Sequence, residues 1–598
     1  MAEDYSVGAP PEERDNQAST ALTKVVAEPP ADPNDLYRLR TQVSKASSTE
    51  KLRTILDSPA PRQLVQSMPP QELLYTIKDI GIVDGAEVIE LATKDQLRNC
   101  LDLDVWKKDK VQHDLIFHWM QLLVAGEIDA AENVMAALDP DVFVLYFKQV
   151  LNIYKRKEDE DEPVIDTPGQ LIMTPGRNYI VEIPFPGEDP HNPMLLAAVN
   201  LFIQYGYEFS HRLFETMLNS LDSDLEERAY QFRKARVEEM GFVDYFDAIG
   251  IYQPLPPKSR PLPPSEEGSN TTTLPILATP QGSGLFNKSM QRVDSPETQA
   301  RIRTELVYLN NKILSADQID PSQRRAAENS MRGVLRTLDL GMEVLLQGTD
   351  PSAGSQLLYQ HHVEWVFRTG FSQLAKLRRK ANKIAREERF TLLKDAPLSL
   401  LGEPYLTVLQ ELRQLKPRFV TAIQHPNQRS IRPFRSLQEI QLTEQALETM
   451  KLLADLFFRD FGFDHDALVE LVLKEQLVAP LHPEDIQFSH LFLTALAQFV
   501  LTGEFVLKPL NTKEVLSFLQ TVLEEQETPP HTLKAEFQEK IETLLLQRPN
   551  TLAAEVQALQ DMLRQFWVRL SEEASHLPLH QVPDERFLHL FLLEKPSA

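Results

Sequence analysis

Three stretches of this chain begin in the same way, and that repetition limits its fold more than any other feature. Met68-Pro69-Pro70-Gln71-Glu72-Leu73, Ala92-Thr93-Lys94-Asp95-Gln96-Leu97 and Leu138-Asp139-Pro140-Asp141-Val142-Phe143 each lead from a cap or a proline into an acidic or amide-bearing first turn. An apolar residue follows at Leu73, Leu97 and Phe143, and another comes four positions on, at Ile77, Leu101 and Phe147. Thr93 with Gln96 has the form of a capping box. Asp139 is placed to cap, with Pro140 at the first helical position, where a missing N–H costs nothing. Pro61 followed by Leu64 fits as an earlier member. Short helices of this kind cannot each bury a core, so the pattern predicts a stacked array in which neighbours cover one another.

Glycine numbers 21 and proline 42 in 598 residues. Strands and turns consume glycine, so this ratio favours helices, with the prolines at helix starts and in linkers. The expected class is mainly α: a superhelical stack of short helices followed by further helical domains, with one small β-hairpin. The hairpin is read from QLIMTPGRNYIVEIPF (170–185), two β-prone stretches around Thr174-Pro175-Gly176-Arg177-Asn178.

A chain of this length exceeds the ~250–300 residues at which one core stops growing. Residues 1–33, rich in Pro, Ala, Asp and Glu, predict a disordered tail. Residues 34–155 form the helical repeat domain, closed by the charge run KRKEDEDE (155–162), a solvated connector. Residues 156–253 carry the hairpin and a helical subdomain, with helices from Pro193 and from Asp224. Residues 254–282 read as a Pro-rich linker. Residues 283–598 are a C-terminal helical region with room for two subdomains. Within it LFLTALAQFVLTGEFVL (491–507) reads as a buried helix, because Thr494, Gln498, Thr502 and Glu504 interrupt it and it is shorter than the ~20 residues of a membrane span. The last long helix, 551–570, places Leu552, Val556, Leu559, Leu563, Phe566 and Leu570 on one face.

Acidic residues outnumber basic ones by 87 to 62, a formal charge of −25. A field of that sign repels nucleic acid and anionic membranes unless a local patch overrides it. The lone Cys100 allows no internal disulfide, and the opening MAEDYSVGAPPEERDNQ has neither a basic start nor an apolar run. Both predict a cytoplasmic protein. Its expected partner is protein rather than membrane, with nucleic acid disfavoured.

Recognisable chemistry is scarce. GSGLFNKS (282–289) is one residue away from a phosphate-binding loop, with Asn287 where the glycine before Lys288 belongs. Such a loop needs a buried strand before it and a helix after it. Here Pro275 and Pro280 break the upstream segment and Pro296 follows closely, so Leu285, Phe286, Met290 and Val293 read as the apolar side of a short docking helix. His361-His362 with Glu364 lacks the spacing that sets two ligands on one helical face, and Pro578 separates His576 from His580. Asp464-His465-Asp466 and Asp222-Ser223-Asp224 read as helix caps, and Cys100 as a buried, inert thiol. No catalytic, cofactor-binding or metal-binding residue is assigned. One patch opposes the global charge: in KLRRKANKIAREER (376–389), Lys376, Arg379, Lys383 and Arg386 form a helical stripe suited to an acidic partner. The ordinary reading is a solvated face partly neutralised by Glu387 and Glu388, and no aromatic residue is interleaved for base stacking.

Two resemblances follow from these segments. Residues 61–150, with SMPPQELL, ATKDQLRN and ALDPDVFV, look like the cytosolic N-terminal helical domain of MgtE-type magnesium transporters. That likeness implies a stack of short helices, and it brings over no ion-binding position. From Asn34 to about Phe458 the chain resembles an uncharacterised bacterial domain-of-unknown-function family, through MPPQELLYTIKDIG, LDLDVW, LIMTPGRNYIVE, ARVEEMGFVDYFDAI, VFRTGFSQL and RPFRSL. The resulting expectation is a non-enzymatic scaffold or adaptor. The alternatives are an ion- or ligand-responsive regulator whose first array closes on residues 186–253, and an enzyme without a local motif.

Overall fold

The structure, a computed structural model, describes residues 32–156, 165–256, 259–264, 283–392, 398–425, 429–473, 477–479, 482–526, 530–547 and 553–595. The tail expected over 1–33 lies outside the described residues up to residue 31, as do residues 157–162 of the connector and most of the 254–282 linker. The fold is mainly α, with 25 α-helices among the described residues and strands only in short antiparallel pairs and one three-stranded sheet. Among the described residues no helix is long and apolar enough to cross a membrane. The chain divides into two compact units. One takes Met1–Ile251, Arg260–Leu335 and Asp350–Val366; the other takes Tyr252–Ser259, Arg336–Thr349 and Phe367–Ala598.

In the first unit, helices Pro70–Ile80, Lys94–Asp104 and Pro140–Val150 start where their opening residues place them. Thr93 Oγ1 accepts from Gln96 N at 3.1 Å and Gln96 Oε1 accepts from Thr93 N at 3.0 Å, which closes the capping box. Asp139 Oδ1 accepts from Asp141 N at 3.1 Å. Leu73, Ile77, Leu97, Leu101 and Phe147 are buried and Phe143 is half-buried. Pro70–Ile80 packs on Lys94–Asp104, which in turn packs on Ile128–Ala137, so each short helix finishes its neighbour's apolar face. Residues far along the chain complete this core. Leu314 and Ala327 belong to it, Tyr75 Oη donates to Pro321 O at 2.7 Å, and Arg324 pairs with Asp79 at 2.6 Å.

The expected hairpin is present, with Gln170–Met173 antiparallel to Tyr179–Ile183 and Arg177 at a φ of 53° in the turn. A third strand, Asn152–Lys155, pairs with the other edge of Tyr179–Ile183. It comes from a stretch read as the end of the helical array; four residues carry too little period to declare a strand, and only the distant ladder partner makes it one. The helix read from Asp224 begins at Asp222, with Leu221 at its N-cap. Asp222 therefore does not cap it, and pairs with Lys148 at 2.8 Å instead.

The second unit is built on phenylalanines. Phe457 stacks on Phe488 at 4.8 Å between ring centres, Phe461 lies 4.2 Å from Phe505 and Phe492 lies 5.1 Å from Phe566. Offset and edge contacts of this kind add to the burial of each ring. The apolar 491–507 run is a buried helix over only part of its length: Phe488–Thr502 ends at Gly503, whose φ of 84° is the left-handed stop that glycine adopts freely. Leu559, Leu563, Phe566 and Leu570 of Ala553–Ala574 are buried as expected, and this helix packs on Leu437–Asp455; Leu552 lies outside the described residues.

Candidate functional site

The basic stripe lies on the helix Val363–Ile384, which belongs to the second unit from Phe367 onward. Phe371, Leu374, Leu377, Ala381 and Ile384 recur at helical spacing and are buried, so the opposite face is forced outward. Lys376, Arg379 and Lys383 stand exposed on that face, and Arg386 is exposed in the turn that follows the helix. The advance from Lys376 to Lys383 is about 10 Å along the axis. Within the unit the helix is seated by close contact: a Cβ built on Gly370 would lie 2.3 Å from Thr337 O and 2.7 Å from Gly341 N.

Among the described residues no neighbouring acid forms an ion pair with the stripe, and Glu388 stands exposed beside it. Glu387 is engaged by Arg389 at 2.7 Å, and Glu444 by Lys380 at 2.8 Å. Among the described residues Lys376 Nζ donates only to the amide oxygen of Gln373, at 3.1 Å. The side chains of Arg379, Lys383 and Arg386 form no ion pair or hydrogen bond among the described residues. The structure adds one cation that sequence spacing could not show. Arg413, just past the helix Tyr405–Leu412, donates from Nε to Asn382 Oδ1 at 3.3 Å, and its carbonyl accepts from Arg378 Nε at 3.3 Å.

A second polar convergence joins three parts of the same unit. Arg569 Nη1 donates to Gln487 Oε1 at 2.8 Å and to Ser489 Oγ at 3.0 Å, while Nη2 donates to Glu403 O at 2.7 Å. Gln487 is the N-cap of Phe488–Thr502, and Gly402 leaves it room, since a Cβ there would lie 2.2 Å from Gln487 Oε1. Burial lowers the Arg569 guanidinium, pushes His490 down to about 4 and pushes the Tyr405 phenol up to about 12. His490 Nδ1 accepts from Gln487 N at 2.8 Å, so the ring is neutral and fixed in one tautomer. Glu573, one turn beyond Arg569, accepts from Leu590 N at 3.0 Å, and burial raises its carboxyl to about 7. Arg569 and Glu573 thus join a loop, a helix start and a C-terminal segment. The cluster holds these segments of the unit together.

The remaining sequence candidates serve local roles. Leu285, Phe286, Met290 and Val293 are buried, and the short helix Leu285–Met290 packs on Pro351–Gln360. Lys288 is exposed while Ser289 is buried, so the two residues a phosphate loop would use together point apart. His361 lies against Trp365 at 4.7 Å, His362 Nδ1 accepts from Glu364 N at 3.1 Å, and Glu364 pairs with Lys312 at 3.1 Å. Asp464 Oδ1 accepts from Asp466 N at 2.9 Å and caps the helix His465–Leu473. His576 and His580 are exposed beyond the end of their helix. Cys100 is buried with Sγ 3.1 Å from Pro70 O, and burial raises its thiol far above the usual range.

The model of a family of unknown function matches residues 31–594, well past the Phe458 at which the resemblance in the sequence gives out. Searches among curated proteins and among solved structures find no match.

Proposed function

The chain belongs to the DUF6178 family, a family of unknown function, and we propose that it acts as a non-catalytic interaction protein whose contact surface is the basic face of the helix Val363–Ile384. One observation carries this reading: Arg379, Lys383 and Arg386 stand exposed without carboxylate partners among the described residues, on a chain of net charge −25, while Glu387 and Glu444 are held by Arg389 and Lys380. On an acidic protein, intramolecular pairing is the easiest fate of a surface cation. A face where that pairing is withheld keeps its charge for another molecule. A cytoplasmic setting belongs to the same proposal, as does a stacked arrangement of residues 61–150 like that of the MgtE-type N-terminal domain.

The test replaces Lys376, Arg379, Lys383 and Arg386 together with Ser and compares what the intact chain and the variant retain from native cell extract, at low and at raised salt. The expected result is a partner that salt weakens and the variant loses, with circular dichroism unchanged. An identical set of retained proteins would remove the stripe from the function.

A further inference from the structure

The geometry of the stripe also limits what can occupy it. We infer, resting on the contact surface proposed above, that the occupant is a helical polypeptide segment bearing carboxylates at the spacing of the stripe itself. Lys376, Arg379 and Lys383 advance along their axis by about 4.5 and 6 Å. Glutamates at i, i+3 and i+7 of a second helix advance by the same steps, so the two rows meet pair by pair. Arg413 widens the row into a face. Its bond to Asn382 holds it beside the stripe, and its planar fork suits two-point contact with a carboxylate.

Two observations separate this occupant from a nucleic acid. The only aromatic ring between residues 376 and 392 is Phe390, which is fully buried, so the face offers no platform for base stacking. A long polyanion would also overrun a stripe of about 10 Å and be repelled by a chain of net charge −25. A short acidic helix ends where the stripe ends.

The experiment is fluorescence anisotropy at low salt with the full chain and three labelled probes. These are an alanine-based helix with glutamates at i, i+3, i+7 and i+10, a peptide of the same composition with the glutamates scattered, and a single-stranded oligothymidine of equal charge. The patterned helix is expected to bind best, to weaken as salt rises, and to lose about tenfold in affinity with Arg413→Glu. Lys513→Glu, an exposed reversal elsewhere in the unit, should change nothing. Equal binding of the scattered peptide would overturn the helical register, and tighter binding of the oligonucleotide would overturn the carboxylate occupant. Both results would leave the stripe as a contact surface. Failure of every probe to bind would overturn this inference, while the pull-down with the fourfold Ser variant decides the proposed function separately.

Discussion

Glu573 shows how one side chain can set a pH dependence. Its carboxyl is raised from an ordinary 4.5 to about 7 by burial, while the N–H of Leu590 points at it. Between about pH 4.5 and 7 the folded chain holds a proton that the unfolded chain has released, so stability falls as pH rises through that window and then levels off. Glu573→Gln keeps an oxygen for Leu590 and removes the buried charge. It should stabilise the chain at pH 8 by on the order of 3 kcal/mol, seen as a higher denaturation midpoint, and change little at pH 4.5. Equal midpoints at pH 8 would refute the assignment. Ser289 supplies a second case, because it is fully buried and its Oγ meets no hydrogen-bonding partner among the described residues. Ser289→Ala should therefore stabilise the chain by about 1 kcal/mol in urea unfolding. Neither residue announces itself in the sequence. The apolar letters of GSGLFNKS are legible as a buried side, but a turn of 100° per residue separates Lys288 from Ser289, and only the docked helix says which one is inside. Arg569 was illegible for a different reason. Its acceptors Ser489, Gln487 and Glu403 are 80, 82 and 166 positions away, and no local pattern encodes such a meeting.

Elements were readable where their signals are local. The capping box at Thr93 and Gln96, the proline start at Pro140 and the spacing of Leu73 with Ile77 lie within one or two turns, and each forms as written. The strand Asn152–Lys155 and the start at Leu221 went unread because both are decided by partners outside the segment. Gln96 does more than its capping box requires, since Nε2 also donates to Met68 O at 2.7 Å and so ties one short helix to the loop before another. Thr93→Ala should cost about 1 kcal/mol, the usual loss of a cap, and Gln96→Ala distinctly more; chemical denaturation of the two variants decides the order. The stripe helix is fixed by a contact of another kind. At Gly370 the backbone comes too near Thr337 O and Gly341 N for any side chain. Gly370→Ala should cost about 3 kcal/mol through overpacking, visible as a lowered melting temperature, and a neutral result would mean that the two helices do not approach so closely.

For the whole molecule, the mainly α class followed from few glycines and repeated helix starts, but the make-up of the two units did not. Compositional breaks mark where a chain is locally different, whereas a core is defined by which distant segments return to it. Leu314, Ala327, Pro321 and Arg324 all return to the helices near the start of the chain. A fragment of residues 32–253 lacks every one of them and should melt broadly and bind hydrophobic dyes. Residues 32–366, which include them, should melt in one sharp step. Identical cooperative melting of the two would show that these late residues are dispensable.

The threading of the chain has a consequence during its synthesis. The first unit takes its last segment from residues up to Val366, after the chain has already supplied Tyr252–Ser259 and Arg336–Thr349 to the other unit. At the ribosome's pace of about 5–20 residues per second, the helices made first wait roughly 15 to 60 seconds for the segments that cover them. Through that interval the nascent polypeptide carries an open greasy seam, and its yield in the cell should depend on how well folding helpers shield that seam until translation passes residue 366.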